Sequence, residues 1–515
     1  MRKQLLVVIS CLLIASAALA GCGQKKDTKA EAAANKFTWW VSLYSHVGQT
    51  ADNFADTAFY QELMRRTNTQ IEFIHPAPGQ ETEDFNLMLA TKELPDIIER
   101  DFLLYKGGPQ KAVDDGIIIE LDPYLEGDAP NYSKLLKEHP DWDKQVKLDS
   151  GKHYTFAFLR GDDSLTYWSG PQIRTDLLQK AGLPLPETIG EWEQTLKAFQ
   201  GMGIKYPLSI TGVYTKGMFI GAYGVAKEYY LDGGVVKYGP LQQGYRDFIE
   251  LFRRWYREGL LDPDFFMQDA KTLGVKILNG NVGAFIGSAG GDMGRYLREL
   301  PSNVPGAGLS GTKYAVLQKG DIPRLAQNEF NYVPNNSVSV TTACENPKDA
   351  IRFLDYNYSE EGYMLNNFGI EGVSYVMENG YPAYTDLITN NPDGLPMIYA
   401  MGQYMASCYG GPFVQDKRYY EQYLQMPEQR RAVALWEQQD TDGRIPAVTF
   451  TTSEAAVNAT KGSELTAYVD ENTLKFITGQ LPMEKYDEFQ EMIYKLGVQE
   501  MLDIYQAALD RYQSR

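Results

Sequence analysis

Apolar and polar positions change their period several times along the chain, and each change marks an element. Residues 5–20 form one almost uninterrupted apolar run. Residues 23–35 are polar or small, with no aromatic and no β-branched apolar residue, so they cannot bury a core and read as a solvated tether. Alternation begins at 37–43, a strand candidate. Residues 58–67 then have helical spacing, 69–74 alternate, 84–91 are helical again, and 94–98 form a short apolar strand after a Pro turn. This βαβαβ rhythm predicts a parallel sheet with right-handed crossovers. A second rhythm starts near Tyr154, with helices at 176–181 and 190–199 joined across Pro184 and Pro186 and a strand at 206–211. Residues 243–258 predict a long amphipathic helix whose Tyr245, Phe248, Phe252 and Trp255 form one core-facing stripe. Further helices are expected at 347–358, 466–477 and 483–512. The fold class is therefore α/β.

The first apolar run is too short to span a bilayer comfortably, follows basic Arg2 and Lys3, and ends in Leu19-Ala20-Gly21-Cys22. It reads as a secretory signal segment. Its end resembles the lipobox of bacterial lipoproteins, in which the Cys is diacylated and becomes the mature N-terminus. Two acyl chains give stable anchoring where one does not. The expected layout is a lipoprotein signal peptide at 1–21, lipidated Cys22 and tether at 22–36, and a folded body on the outer face of the plasma membrane.

Composition removes several function classes. The formal charge is −18, which repels nucleic acid and anionic lipid. Of four Cys, Cys11 leaves with the leader and Cys22 carries lipid, so Cys344 and Cys408 remain, as a pair or as two free thiols. The histidines (His46, His75, His139, His153) have no zinc-ligand spacing. Residues 306–311 match GxGxxG, but Pro305 precedes them and a strand-like run follows, whereas a dinucleotide fingerprint needs a strand before and a helix after. No cofactor is expected.

The positive signal is aromatic: 35 Tyr, 22 Phe and 7 Trp, many beside Gly in expected loops. Sugar rings present apolar C–H faces that pack on aromatic rings, and their hydroxyls need placed polar partners. Trp39, Trp40 and Tyr44, the Tyr167–Trp168 pair, and Tyr214 with Phe219 and Tyr223 are candidates for such walls.

Several segments, in order, resemble the extracellular solute-binding proteins (family 1) of bacterial ABC importers, in their long oligosaccharide branch. They are 93–98 (ELPDII), 172–184 (QIRTDLLQKAGLP), 188–199 (TIGEWEQTLKAF), 255–266 (WYREGLLDPDFF), 278–284 (LNGNVGA), 345–362, Gly369-Ile370-Glu371-Gly372, and the 507–512 ending. One departure is that 200–206 carries no carboxylate where such proteins often have a calcium-binding loop, so no metal is expected there.

The resemblance implies a two-lobe periplasmic-binding-protein-like fold (type II) with hinge crossings and a ligand cleft between lobes. Lobe one would hold 37–155 plus 337–370, and lobe two 156–336 plus 371–515, with crossings near 152–160, 332–340 and 369–375. Trp39, Trp40, Tyr44, Arg100, Asp101, Tyr167, Trp168, Arg174, Tyr214, Tyr223, Asp292 and Glu371 would line the cleft, aromatics stacking and charged groups bonding hydroxyls. Arg174 and Asp176 have a rival role as an interlobe or capping ion pair. The implied function is capture of an oligosaccharide or related carbohydrate by a monomer without catalysis, with delivery to a membrane permease driven by a separate ATPase. A surface glycoside hydrolase and a peptide or signal-ligand binder of the same fold remain alternatives.

Overall fold

The computed structural model describes residues 34–213, 217–326 and 329–515. Its first sheet is built as the apolar rhythm predicts. Asn35–Trp40 pairs in parallel with Thr69–Ile74 on one side and with Ile97–Glu99 on the other. The fourth strand comes from far along the chain: Val338–Val340 runs antiparallel to Ile97–Glu99. Strand alternation sends neighbouring side chains to opposite faces. Trp39 therefore enters one core with Phe54, Tyr60, Phe73 and Phe353, and Trp40 enters a smaller cluster with Phe85, Met88 and Phe102.

The second sheet is mixed. Ser169–Arg174 lies between Leu309–Gly311 and Val282–Ser288, antiparallel to both, and Tyr206–Leu208 pairs in parallel with Val282–Ser288. Leu309–Gly311 is a strand rather than the start of a phosphate-binding turn. The largest core packs on this sheet. Ile189–Gly201, Gln243–Arg257, Pro427–Trp436 and the closing helix Val498–Ser514 all contribute to it. The stripe of Tyr245, Phe248, Phe252 and Trp255 is wholly buried there.

The chain passes between the two cores side by side with itself. Leu159–Arg160 pairs in parallel with Val414–Gln415. Leu159 also bridges Tyr332, and the Arg160 N–H donates to the Asn331 carbonyl, 2.8 Å. A further passage runs from Leu365 in the first core to Phe368 in the second. Phe156–Leu159, Tyr332, Ala406, Tyr409, Phe413 and Val414 pack in the first core, although the expected lobe boundaries put them in lobe two. They are crossing segments, and side chains there face whichever core their strand edge adjoins. The closing helix spans the same gap. Its Arg511, and Arg515 just after it, both pair with Asp149, at 2.6 Å, on the first side.

Candidate functional site

The first parallel strands end at one edge of their sheet, where loops leave a crevice beyond the carboxyl ends. Trp40 is the last residue of its strand, and Val41 to Tyr44 lead away from it. Arg100 and Asp101 follow the Ile97–Glu99 strand directly. These two strand ends enclose a cavity of about 350 Å³ lined by Trp40, Tyr44, Glu81, Glu99, Arg100 and Asp101. Asp101 caps the turn after its strand, accepting from the Leu103 N–H at 2.8 Å. The Arg100 guanidinium lies 4.2 Å from the Phe85 ring centroid, and its Nη1 donates to the Glu81 carbonyl at 3.1 Å.

Glu99 is buried and accepts from the Tyr44 hydroxyl at 3.2 Å. Burial disfavours its charged form and pushes its pKa up to about 8, against the lowering effect of the Tyr44 bond. Burial also raises Asp101 above the usual carboxylate value and lowers Arg100.

Tyr44 stacks on Tyr409 with ring centroids 5.2 Å apart. Asn336 Nδ2 donates to the Tyr44 hydroxyl and to the Tyr409 carbonyl. Gly410 is required for this arrangement, because a Cβ there would fall 1.9 Å from Asn336 Nδ2.

On the other side of this stack lies a second cavity of about 350 Å³, between the two cores. Phe158 and Tyr409 come from the first core; Leu165, Tyr419 and Tyr420 come from the second. Trp168 and Tyr423 add two more rings, and Ser288, Ser407 and Gln415 add neutral polar groups. Gly290 lets the loop backbone lie against Tyr423, since a Cβ would come within 2.1 Å of that ring. Trp168 Nε1 donates to Glu329 at 2.7 Å, and Arg160 Nη1 pairs with the same carboxylate. The Tyr420 hydroxyl is buried with no partner among the described residues.

Of the expected residues, Trp40, Tyr44, Arg100 and Asp101 thus meet in one cavity and Trp168 lines the other. Asp292 lines an adjoining pocket with Trp168, but its carboxylate is engaged by the Ser288 N–H at 2.8 Å and hydroxyl at 2.9 Å. The others are placed elsewhere. Trp39 is 1% exposed inside the first core, because strand alternation turns it away from Trp40. Tyr167 is buried in the second core. Arg174 is 2% exposed, and its Nε and Nη2 both bond Asp176 at 2.7 Å at the start of the following helix, which is the rival ion-pair role. Tyr223 packs against the second core in a turn beside Gly244 and lines neither cavity. Glu371 is exposed in a turn closed by its bridge to Tyr375. Tyr214 and Cys22 lie outside the described residues. Cys344 and Cys408 are free thiols. Among the described residues, no group of three or more His, Cys, Asp or Glu is placed to hold a metal ion.

Sequence reasoning missed Glu99, Tyr409, Gln415, Tyr419, Tyr420 and Tyr423. A signal for the tyrosines existed. The Lys417–Tyr423 helix (KRYYEQY) carries Tyr423 four residues after Tyr419 and three after Tyr420, just after the Gly410-Gly411-Pro412 turn.

No protein-family model matches the chain. It is 23% identical over 521 residues to Lipoprotein LipO of Bacillus subtilis strain 168, spanning 95% of this chain and 96% of the relative. The polygalacturonan/rhamnogalacturonan-binding protein YtcQ of the same strain is 23% identical over 528 residues, spanning 98% and 99%. The fructooligosaccharide ABC transporter substrate-binding protein FusA of Streptococcus pneumoniae is 22% identical over 487 residues, spanning 88% and 87%. Among solved structures, the alginate-binding protein AlgQ2 superimposes with a TM-score of 0.76 at 22% identity, covering 92% of this chain and 98% of its own. FusA in complex with kestose superimposes with a TM-score of 0.74 at 18% identity, covering 93% and 100%. The fold is that of the two-lobe periplasmic solute-binding proteins.

Proposed function

We propose, on the premise that this chain is an end-to-end homologue of bacterial ABC-transporter substrate-binding proteins, that it captures a carbohydrate between its lobes and delivers it to a membrane permease. The observation that carries the reading is the cavity between the cores. Both cores supply aromatic faces to it, and the polar groups between those faces are mostly neutral. Aromatic faces suit the C–H surfaces of sugar rings, and hydroxyl and amide groups both donate and accept as sugar hydroxyls do. The lobes built on the first and second cores move about the Leu159–Arg160, Tyr332 and Val414–Gln415 crossings. Ligand favours the closed state because only there do both walls touch it. Trp40, Tyr44, Arg100, Asp101 and Trp168, joined by Tyr409, Tyr419 and Tyr420, contact the sugar. Cys22 carries the lipid that holds this monomer at the outer face of the membrane. The protein is a binding protein and not an enzyme, and its ligand leaves chemically unchanged.

The test is a thermal-shift screen of the protein against oligosaccharides and short peptides, with product analysis of every hit. A ligand that binds only the folded state stabilises it by about 2.7 kcal/mol at a hundred times Kd. A sugar that raises the melting temperature and is recovered intact supports the reading. A cleaved sugar makes the protein a glycoside hydrolase instead, and a response to peptides alone assigns it the other alternative.

A further inference from the structure

Two of the compared proteins carry acidic polysaccharides in their names and one carries a neutral one, so homology leaves the ligand's charge open. The electrostatics of the cleft close that question. Resting on the carbohydrate reading above, we infer that the ligand is an uncharged oligosaccharide and that the site discriminates against polyuronates.

Among the described residues, the only cationic side chains lining the two cavities are Arg100 and Arg160. Neither is an unopposed cation in its cavity. Arg160 is paired with Glu329, which also takes the Trp168 N–H. Arg100 lies over Phe85 and donates to the Glu81 carbonyl. Against these stand Glu81, Glu99 and Asp101 in the same lining. The adjoining pocket adds Asp292. Glu99, buried as it is, takes up a proton near neutral pH and becomes a hydroxyl donor, but Glu81 is held below the usual carboxylate value by backbone N–H bonds and stays charged. The whole chain adds a field of the same sign, at −18.

A uronate oligomer carries one carboxylate on every ring. Each one loses hydration in a closed cleft and needs a cation, for which the arginine fork is the usual partner. Here the first cavity would offer carboxylates and the cavity between the cores only neutral groups and a paired arginine, and like charges brought together oppose binding. A neutral sugar meets no such penalty. The aromatic rings take its C–H faces, and the Tyr420 hydroxyl, without a partner among the described residues, offers a bond of matching, uncharged kind.

The experiment is calorimetric titration of the full-length protein with neutral oligosaccharides (fructo-, xylo-, galacto- and manno-oligomers of three to five rings) and with tri- to penta-galacturonate and alginate oligomers, each at low and high NaCl. The expected result is that the best neutral ligand binds at least about tenfold more tightly than any uronate, with an affinity that changes less than about twofold between 50 and 500 mM salt. Uronate binding equal to or tighter than the neutral sugars overturns the inference and leaves the carbohydrate reading standing. Binding of neither class, by contrast, overturns the carbohydrate reading and the inference with it.

Discussion

His153 sits where the chain leaves the first lobe for its first crossing, and it is held like a clamped pin. Its Nδ1 lies 3.0 Å from Asp122 and its Nε2 lies 2.8 Å from Asp143, with the imidazole side chain only 10% exposed. Burial alone would lower its pKa, but bonds to two carboxylates outweigh that and raise it to about 9 from an ordinary 6.5. A group whose folded pKa is raised contributes its full stability below the unfolded value and loses it as pH climbs through the folded one. The window is therefore pH 6.5 to about 9. A shift of that size corresponds to about 3 kcal/mol at pH 6, about 2 kcal/mol at pH 7.5, and almost nothing at pH 9.5. On the acid side, Asp122 and Asp143 are both held below the usual 3.8, so their share of the same interaction is lost only as pH falls below that value. The perturbation is His153→Gln, and the assay is urea unfolding of both proteins at pH 6, 7.5 and 9.5, compared at equal m-values. The stability gap between wild type and variant should shrink by about 3 kcal/mol across that range. A gap that is the same at pH 6 and pH 9.5 would refute the argument, because it would mean that the imidazole is neutral throughout and acts by packing alone.

The two tryptophans that sequence placed together should separate cleanly. Trp39→Ala should cost about 3–5 kcal/mol of stability by scanning calorimetry through the cavity it leaves, with ligand affinity preserved in the protein that remains folded. Trp168→Ala should instead lower sugar affinity by about tenfold or more in calorimetric titration, as loss of a buried aromatic anchor does. Glu99→Gln should raise the melting temperature far more at pH 9 than at pH 5. The folded carboxyl's pKa of about 8 against an ordinary 4.5 means that ionising the wild-type group works against the fold as pH rises. Asp149→Ala should cost about 3 kcal/mol in urea unfolding at pH 7, because it strands Arg515, whose side chain is 1% exposed.

Local pattern carried the first sheet and the helical stripe into the structure with little change. The alternation at 35–40 and 69–74 and the period of 243–257 express burial within a single element, which sequence reports directly. Partnership between distant segments was harder to see. Nothing local in Val338-Ser339-Val340 says that it pairs with Ile97–Glu99, and nothing in Val414-Gln415 says that it lies beside Leu159-Arg160. The site divided the same way. Residues that directly follow strand ends, Tyr44, Arg100 and Asp101, were legible because parallel sheets place function at carboxyl ends. Trp39 was misplaced because a Trp-Trp pair on a strand must split between faces, and Arg174 because its carboxylate lay two residues along the chain. Glu99 escaped notice because a carboxylate inside an apolar strand differs from a surface one only by its surroundings.

The antiparallel fourth strand of the first sheet orders events during synthesis. Ile97–Glu99 presents a bare hydrogen-bonding edge until residue 338 arrives, some 240 residues later, and the Asp149 clasp waits for the final helix. Contacts of such long sequence separation make for slow, late-closing topology. As the chain is synthesised N-terminus first, its first lobe stays incomplete while the second is still being made, and an open strand edge is a template for mispairing. A chaperone would therefore meet this half-built lobe first, and a truncation anywhere before residue 338 should yield aggregate rather than a smaller folded lobe.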